Sequence, residues 1–296
     1  MTVRAAVLIQ AHQHPDLIRA LVDSLRHPAI DVYLHIDAKV PLEPFERAVP
    51  DGGSVTYLRG DRRIDVRWGG LSQIEATVAL LRAARHSGRR YTRYALLSGA
   101  DLRIAPLDDV LRAWDSPTEF LRLDRRLAGA GVRPPARVSR LHFPDHDNRV
   151  LRRLDGRIPR RVDTTIDLYQ GSQWWALTDA AVDHVLAFLD AHPSWIRFHR
   201  HTFGPDEIVV HSIVAASPRR DRIAQDFTAA TEEERHEVQL HGMHFVDWSD
   251  LLATSPRVLT PADASRLRAS GALFARKVEP ATAARLIAAL DGETVA

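Results

Sequence analysis

Cysteine is absent from all 296 residues. That excludes disulfides, thiolate metal ligands and a cysteine nucleophile, and it fits a reducing compartment. Nor does any apolar run approach the roughly 20 residues that a membrane helix needs. The first such run, Met1 to Ile9, soon meets His12 and Asp16 and is too brief for a signal segment. A large charge of one sign is lacking too: Lys+Arg 40 against Asp+Glu 38 gives a formal +2. With no nucleic-acid-binding motif either, a nucleic-acid role is not expected. No internal repeat or low-complexity linker divides the chain. The expectation is a soluble, cytoplasmic protein.

What is present is an ordinary core-forming composition, 45% hydrophobic and 26% charged, enough for one large α/β domain or two closely packed ones. Ala5 to Ala11 is continuously apolar, as a strand covered on both faces should be. Pro15 opens a helix with Leu17, Ile18, Leu21, Val22 and Leu25 as its stripe. Asp31 to Asp37, Val55 to Leu58 and Tyr94 to Ser98 read as further strands. Between the last two lies a helix with Leu71, Ile74, Val78 and Leu81 on one face. Alternating strands and helices make α/β the fold class, with a parallel sheet whose ligands bind beyond the strand C-termini. Gln10, Asp37 and Asp101 stand at those ends. A terminal Asp can equally cap a turn.

The stretch Gly204-Pro205-Asp206-Glu207-Ile208-Val209-Val210-His211-Ser212-Ile213 places two adjacent carboxylates before a short apolar segment. Pro205 suits the first position of a helix, and Asp206 and Glu207 then fall in its first turn, where negative charge is favoured. One of them is a candidate general base if it projects into a half-apolar cleft. The alternative is that both acids simply charge the start of a helix.

Other stretches carry possible chemistry. Tyr169 to Leu177 reads as one strand of aromatic weight, in which Gln173 and Trp174 offer a sugar-stacking rim or core packing. His142, Asp145, His146 and Asp147 form either a polar loop or a metal-ligand set. Arg137 to Arg161 is rich in arginine, and arginine heavily outnumbers lysine throughout. Near the end, Thr260 caps a helix starting at Pro261, and Leu273 to Val278 places Arg276 and Lys277 beside an apolar anchor.

Taken in order, His35-Ile36-Asp37-Ala38-Lys39, Val66 to Ser72, Tyr94 to Asp101, Gly171 to Thr178, Pro205-Asp206-Glu207 and Leu273 to Lys277 resemble the core-2/I-branching β-1,6-N-acetylglucosaminyltransferases and peptide O-xylosyltransferases, glycosyltransferase family 14. The likeness runs from about Arg4 to Leu290. It implies a GT-A-like fold with a Rossmann-like nucleotide-binding half (1–120), an acceptor and catalytic half (121–290) and a frayed tail (291–296). It also implies an inverting mechanism and a UDP-sugar donor. On this resemblance Glu207 is the catalytic base, and Lys277, with Arg276 and Arg257, faces the donor diphosphate. Gln10 and Asp37 lie on the donor side; Asp101, Gln173, Trp174, Asp206 and Trp248 are assigned to the acceptor side. The family's tyrosine two residues beyond Trp248 is Asp250 here, so the family's particular acceptor is not carried over. Eukaryotic members have a membrane anchor and disulfides that this chain lacks, which points to a bacterial-type cytoplasmic enzyme.

Many GT-A enzymes hold a divalent cation with Asp-x-Asp; here the counterpart is Asp37-Ala38-Lys39. The expectation is therefore transfer without a metal or other cofactor, with Lys277 and Arg257 meeting the leaving charge. The donor is expected to be UDP-N-acetylglucosamine first and UDP-xylose second, and the acceptor a glycan, natural-product or protein hydroxyl. Two alternatives stand beside it: a non-catalytic nucleotide-sugar or glycan-binding protein on the same fold, and a metal-dependent hydrolase using the His142–Asp147 loop.

Overall fold

The computed structural model describes residues 3–162, 164–250 and 253–291. Its first strand, β1 (Ala5–Ala11), is flanked in parallel by β2 (Ile30–Ile36) and β4 (Arg93–Ser98), and β3 (Val55–Tyr57) extends β2 in the same sense. Every residue of β2 and β4 is buried, the pattern of strands covered on both faces. The side chains of β1 divide by parity. Ala6 and Leu8 enter one core with Leu71, Ile74 and Leu81, while Val7 and Ile9 enter another with Ile18, Leu21 and Val22. Helix Ser72–Arg85 therefore covers one face and helix Pro15–Ser24 the other. Each Leu or Ile so buried contributes roughly 1.5–3 kcal/mol.

Beyond the short β5 (Leu102–Arg103), the second half adds β6 (Glu119–Leu123), β7 (Arg125–Ala128), β8 (Leu168–Gln170), β9 (Ala176–Thr178) and β10 (Ile223–Asp226). The large sheet has the order β10-β6-β9-β4-β1-β2-β3, with β9 antiparallel to both β4 and β6. It is a mixed sheet within an α/β fold. Arg93 ties its centre together: its buried guanidinium donates to the carbonyls of Trp114, Ser116, Thr118 and Ala176. A second sheet, β11 (Leu240–His241), β12 (His244–Val246), β13 (Phe274–Arg276) and β5, packs against the C-terminal helices Ala264–Ala269 and Pro280–Asp291.

Two expectations change. The strand expected over Tyr169 to Leu177 is two strands, because the chain leaves the sheet at Gly171. A Cβ there would lie 1.7 Å from the carbonyl oxygen of Arg122, so no other residue permits that approach. The acids expected in the first turn of a helix occupy their own single 3₁₀ turn, Pro205–Glu207. Ile208, at φ −125°, separates it from the buried helix Val209–Ala215. By contrast Thr178 caps helix Asp179–Ala191, and Thr260 forms a reciprocal cap with Asp263, as the sequence indicates. The tail expected to fray falls mostly outside the described residues.

Candidate active site

In register, Gln10 stands beside His35 on one side and Ser98 on the other, so the C-terminal ends of β1, β2 and β4 finish at one level. Over them opens a cavity of about 860 Å³, walled by the Pro205–Glu207 turn, residues 170–174, residues 235–248 and residues 276–279. This is where a parallel sheet places its ligands.

The Pro205–Glu207 turn is fixed from below. Gly204 has φ 65°, its N–H donates to the Gly69 carbonyl at 2.9 Å, and a Cβ would sit 2.3 Å from Arg137 Nη2. That glycine lets Arg137 reach past the turn to donate to Glu207 Oε2 at 2.9 Å. Gln170 Nε2 donates to the same oxygen at 3.2 Å, and the Gly171 N–H donates to the Glu207 carbonyl at 3.0 Å. Glu207 thus has one carboxylate oxygen clamped, with a side chain still 39% exposed, and it lines the cavity.

Its neighbour differs in every respect. Asp206 is buried, its Oδ1 has no hydrogen-bond partner, and burial together with the charge of Glu207 pushes its carboxyl up to about 7. Two adjacent acids therefore have separate environments, one held by cations and amides, the other desolvated.

Across the cavity the cations gather. Arg276 is mostly but not fully buried, its side chain 14% exposed and its guanidinium carbon 4.3 Å from the Trp174 ring centre, a stacking geometry. Its Nε and Nη1 have no hydrogen-bond partner, and its nearest counter-charge is Asp101 Oδ1 at 3.7 Å. Burial lowers the pKa of this guanidinium, and a desolvated cation at a cavity wall is a place for an anion. Lys277 lines the same wall, its Nζ 4.0 Å from Glu279. On the sheet side, Lys39 Nζ lies 2.9 Å from Asp37 Oδ2 and 2.7 Å from Asp65 Oδ1. The chain has two lysines in all, Lys39 and Lys277, and both line this cavity.

The other residues singled out by sequence separate into two groups. Gln10, Asp37, Gln173, Trp174 and Trp248 line the cavity with Asp206, Glu207, Arg276 and Lys277. Gln10 Nε2 is already engaged, donating to Thr77 Oγ1 and to the Gln73 carbonyl. Gln173 Nε2 is buried without a partner.

Asp101 and Arg257 are not among the lining residues. Asp101 is fully buried and accepts from the Ser98 N–H, Ser98 Oγ and His244 Nε2. Although burial opposes it, Arg276 and His244 lower its carboxyl below the ordinary value, so Asp101 supports Arg276 from behind and does not meet an acceptor. Arg257 donates to Asp247 at 2.8 Å and to Asp263 at 2.6 Å, so its charge is spent within a cluster that also includes Arg266.

The His142–Asp147 loop has other work as well. Asp145 accepts from the Leu71 N–H and Ser72 Oγ at the start of helix Ser72–Arg85, Asp147 pairs with Arg67 and Arg152, and His142 pairs with Asp155. Among the described residues no three His, Asp or Glu side chains converge as a metal site would require.

Sequence reasoning missed Arg137 and Gln170, which hold Glu207 from 70 and 37 positions away. It also missed Trp68, 73% exposed at the cavity rim and braced edge-on against Phe203 at 5.3 Å. Only the glycines beside it, Gly69 and Gly70, hinted that the backbone there is closely approached; a Cβ on Gly69 would meet Phe203 at 2.9 Å.

Comparison with known proteins gives the family. No curated relative matches the chain. Among solved structures, mouse xyloside xylosyltransferase 1 in its apo form is similar, at 11% identity and a TM-score of 0.37, over 75% of this chain and 85% of that one. The glycosyltransferase GlyE of Streptococcus pneumoniae is similar at 12% identity and a TM-score of 0.36, over 95% of this chain and 55% of that one. Neither likeness bears on substrate at that level. The family model described as "Branch: Core-2/I-Branching enzyme" matches residues 6–268. With most of its length matched, the chain belongs to the core-2/I-branching enzyme family of glycosyltransferases.

Proposed function

We propose that the protein is an inverting, metal-independent glycosyltransferase that moves a sugar from a UDP-sugar to an acceptor hydroxyl. N-acetylglucosamine is the first candidate and xylose the second. The reading rests on one observation: a clamped but accessible carboxylate, Glu207, lines the same cavity as the guanidinium of Arg276 and the ammonium of Lys277. The acceptor oxygen attacks the anomeric carbon as its proton passes to Glu207. The bond from that carbon to the phosphate oxygen breaks, and UDP departs with the electron pair. Arg276 and Lys277 meet the charge that develops on the diphosphate. Arg257, bound to Asp247 and Asp263, keeps this wall in place from outside the cavity.

Metal independence draws support from Lys39. Where a second carboxylate would complete an Asp-x-Asp pair, the chain has this lysine, and its ammonium lies on Asp37. Asp37 is thereby already neutralised, and the positive charge that a metal would otherwise supply is covalent, from Arg276 and Lys277. Asp37, Lys39 and Gln10 then belong to the nucleotide side, and Trp174, Gln173 and Trp248 to the sugar and acceptor side.

The test is UDP release across a panel of UDP-sugars, with and without EDTA, for wild type and Glu207→Gln. The expected result is release from one donor that chelator leaves unchanged and that the substitution reduces by about 10²–10⁴-fold. Loss of release with EDTA would refute the covalent-cation reading. Full activity in Glu207→Gln would remove the base.

A further inference from the structure

Nine arginines and three aspartates fall between Arg133 and Arg161, a net +6 in a chain whose total is +2. The rest of the molecule is therefore net negative, and the positive charge is concentrated in this segment. The acids of this segment are consumed. Asp145 caps helix Ser72–Arg85, Asp147 is shared by Arg67 and Arg152, and Asp155 takes His142 and the Phe143 N–H. Arg137 and Arg160 turn inward, to Glu207 and to the carbonyls of Val138 and Phe198. Arg149, Arg153 and Arg157 are exposed and make no side-chain ion pair with any described residue.

The same segment carries apolar surface. Helix Arg149–Leu154 is capped by Asn148, whose side chain accepts from the Val150 N–H at 2.8 Å. It leaves Val150 62% and Leu154 37% exposed, four positions apart and so on one helical face. The remaining large apolar side chain exposed among the described residues is Trp68. It is linked to that helix through contacts: Trp68 rests on Phe203, Phe203 on His142, and His142 on Asp155, next to Leu154.

We propose that this flank docks the enzyme on an anionic lipid surface. A valine and a leucine beside the unpaired Arg149, Arg153 and Arg157, on a short helix with no buried residue and joined through contacts to an exposed tryptophan, are the chemistry of interfacial binding. The apolar groups enter the acyl boundary and the guanidinium groups meet the phosphates. Because Trp68 also borders the cavity, docking brings the cavity mouth to the surface. The proposal uses the transferase reading in one respect: the acceptor hydroxyl then arrives on a lipid-anchored molecule.

Flotation with vesicles of phosphatidylcholine, alone or mixed with phosphatidylglycerol, tests it on the full chain. Wild type should float with the mixed vesicles and not with the neutral ones, more weakly as salt rises. Each arginine is worth about fivefold at such a surface, so Arg149→Ser, Arg153→Ser and Arg157→Ser together should weaken partition roughly a hundredfold. Val150→Asp with Leu154→Asp should weaken it by about tenfold or more. Both variants should keep wild-type UDP release from soluble donor. That separates the two readings: vesicle binding without UDP release in any protein leaves the docking surface standing and sinks the transferase. Failure of wild type to float refutes the docking surface. So does loss of flotation in the arginine variant with full retention in the Val150/Leu154 variant, which would mark simple polyanion binding.

Discussion

Replacing Asp206 with asparagine probes how the paired acids are set apart. Burial and the neighbouring Glu207 carry the Asp206 carboxyl from an ordinary 3.8 to about 7. In the unfolded chain it ionises near its ordinary value, so between these two limits the folded state holds a proton that the unfolded state has released. Stability then falls as pH rises through this window, is unaffected by Asp206 below it, and is level above it. At about 1.36 kcal/mol per pH unit the whole span amounts to at most about 4 kcal/mol, of which roughly 3 kcal/mol lies above pH 5. Asparagine cannot ionise and is free of this penalty. The stability of Asp206→Asn relative to wild type should rise from pH 5 to pH 8 by about that amount, several degrees in melting temperature for a chain of this size. Thermal melts of both proteins at the two pH values measure it, and taking the difference removes the other titrating groups. A difference that stays constant between pH 5 and pH 8 would refute the claim that Asp206 is protonated in the folded protein under mildly acidic conditions.

Two further substitutions separate positioning from binding. Arg137→Ala frees Glu207 Oε2 and the carbonyls of Phe203 and Gly204; turnover should fall by about 10–100-fold, as loss of a charged hydrogen bond implies, while UDP affinity by calorimetry stays within a few-fold. A large loss of UDP affinity instead would place Arg137 on the donor side. Lys277→Ala should do the reverse, weakening UDP binding by about 10–100-fold; unchanged UDP binding would remove Lys277 from the diphosphate.

The first half of the chain was legible because its signals are local. The unbroken apolar run of β1 and the 3.6-residue stripe of helix Pro15–Ser24 depend on nothing distant. The second half is built from pairings that local pattern does not record. Gly171 splits a strand because Arg122, some 50 positions earlier, passes within contact of its α-carbon. For the site, the residue types were visible and their partners were not. Glu207 could be singled out as a carboxylate at a turn, yet the Arg137 and Gln170 that orient it are joined to it only by folding. Arg257 shows the opposite hazard. A cation at a suitable place in the chain reads as free until the structure reveals that Asp247 and Asp263 claim it. Asp101 ends its strand as expected, but the serine and histidine that bury it turn an apparent ligand into a support.

The scarcity of lysine gives this protein a built-in reporter. A guanidinium stays protonated and spreads its charge over a fork, whereas an ammonium is a compact charge that amine reagents can mark. With arginine elsewhere, reductive methylation using isotopically labelled formaldehyde should yield two side-chain signals besides the chain terminus, one from Lys39 on Asp37 and one from Lys277 near Glu279. Each would view the cavity from a different wall, so a nucleotide, a sugar or an acceptor could be followed as it arrives without any engineered probe.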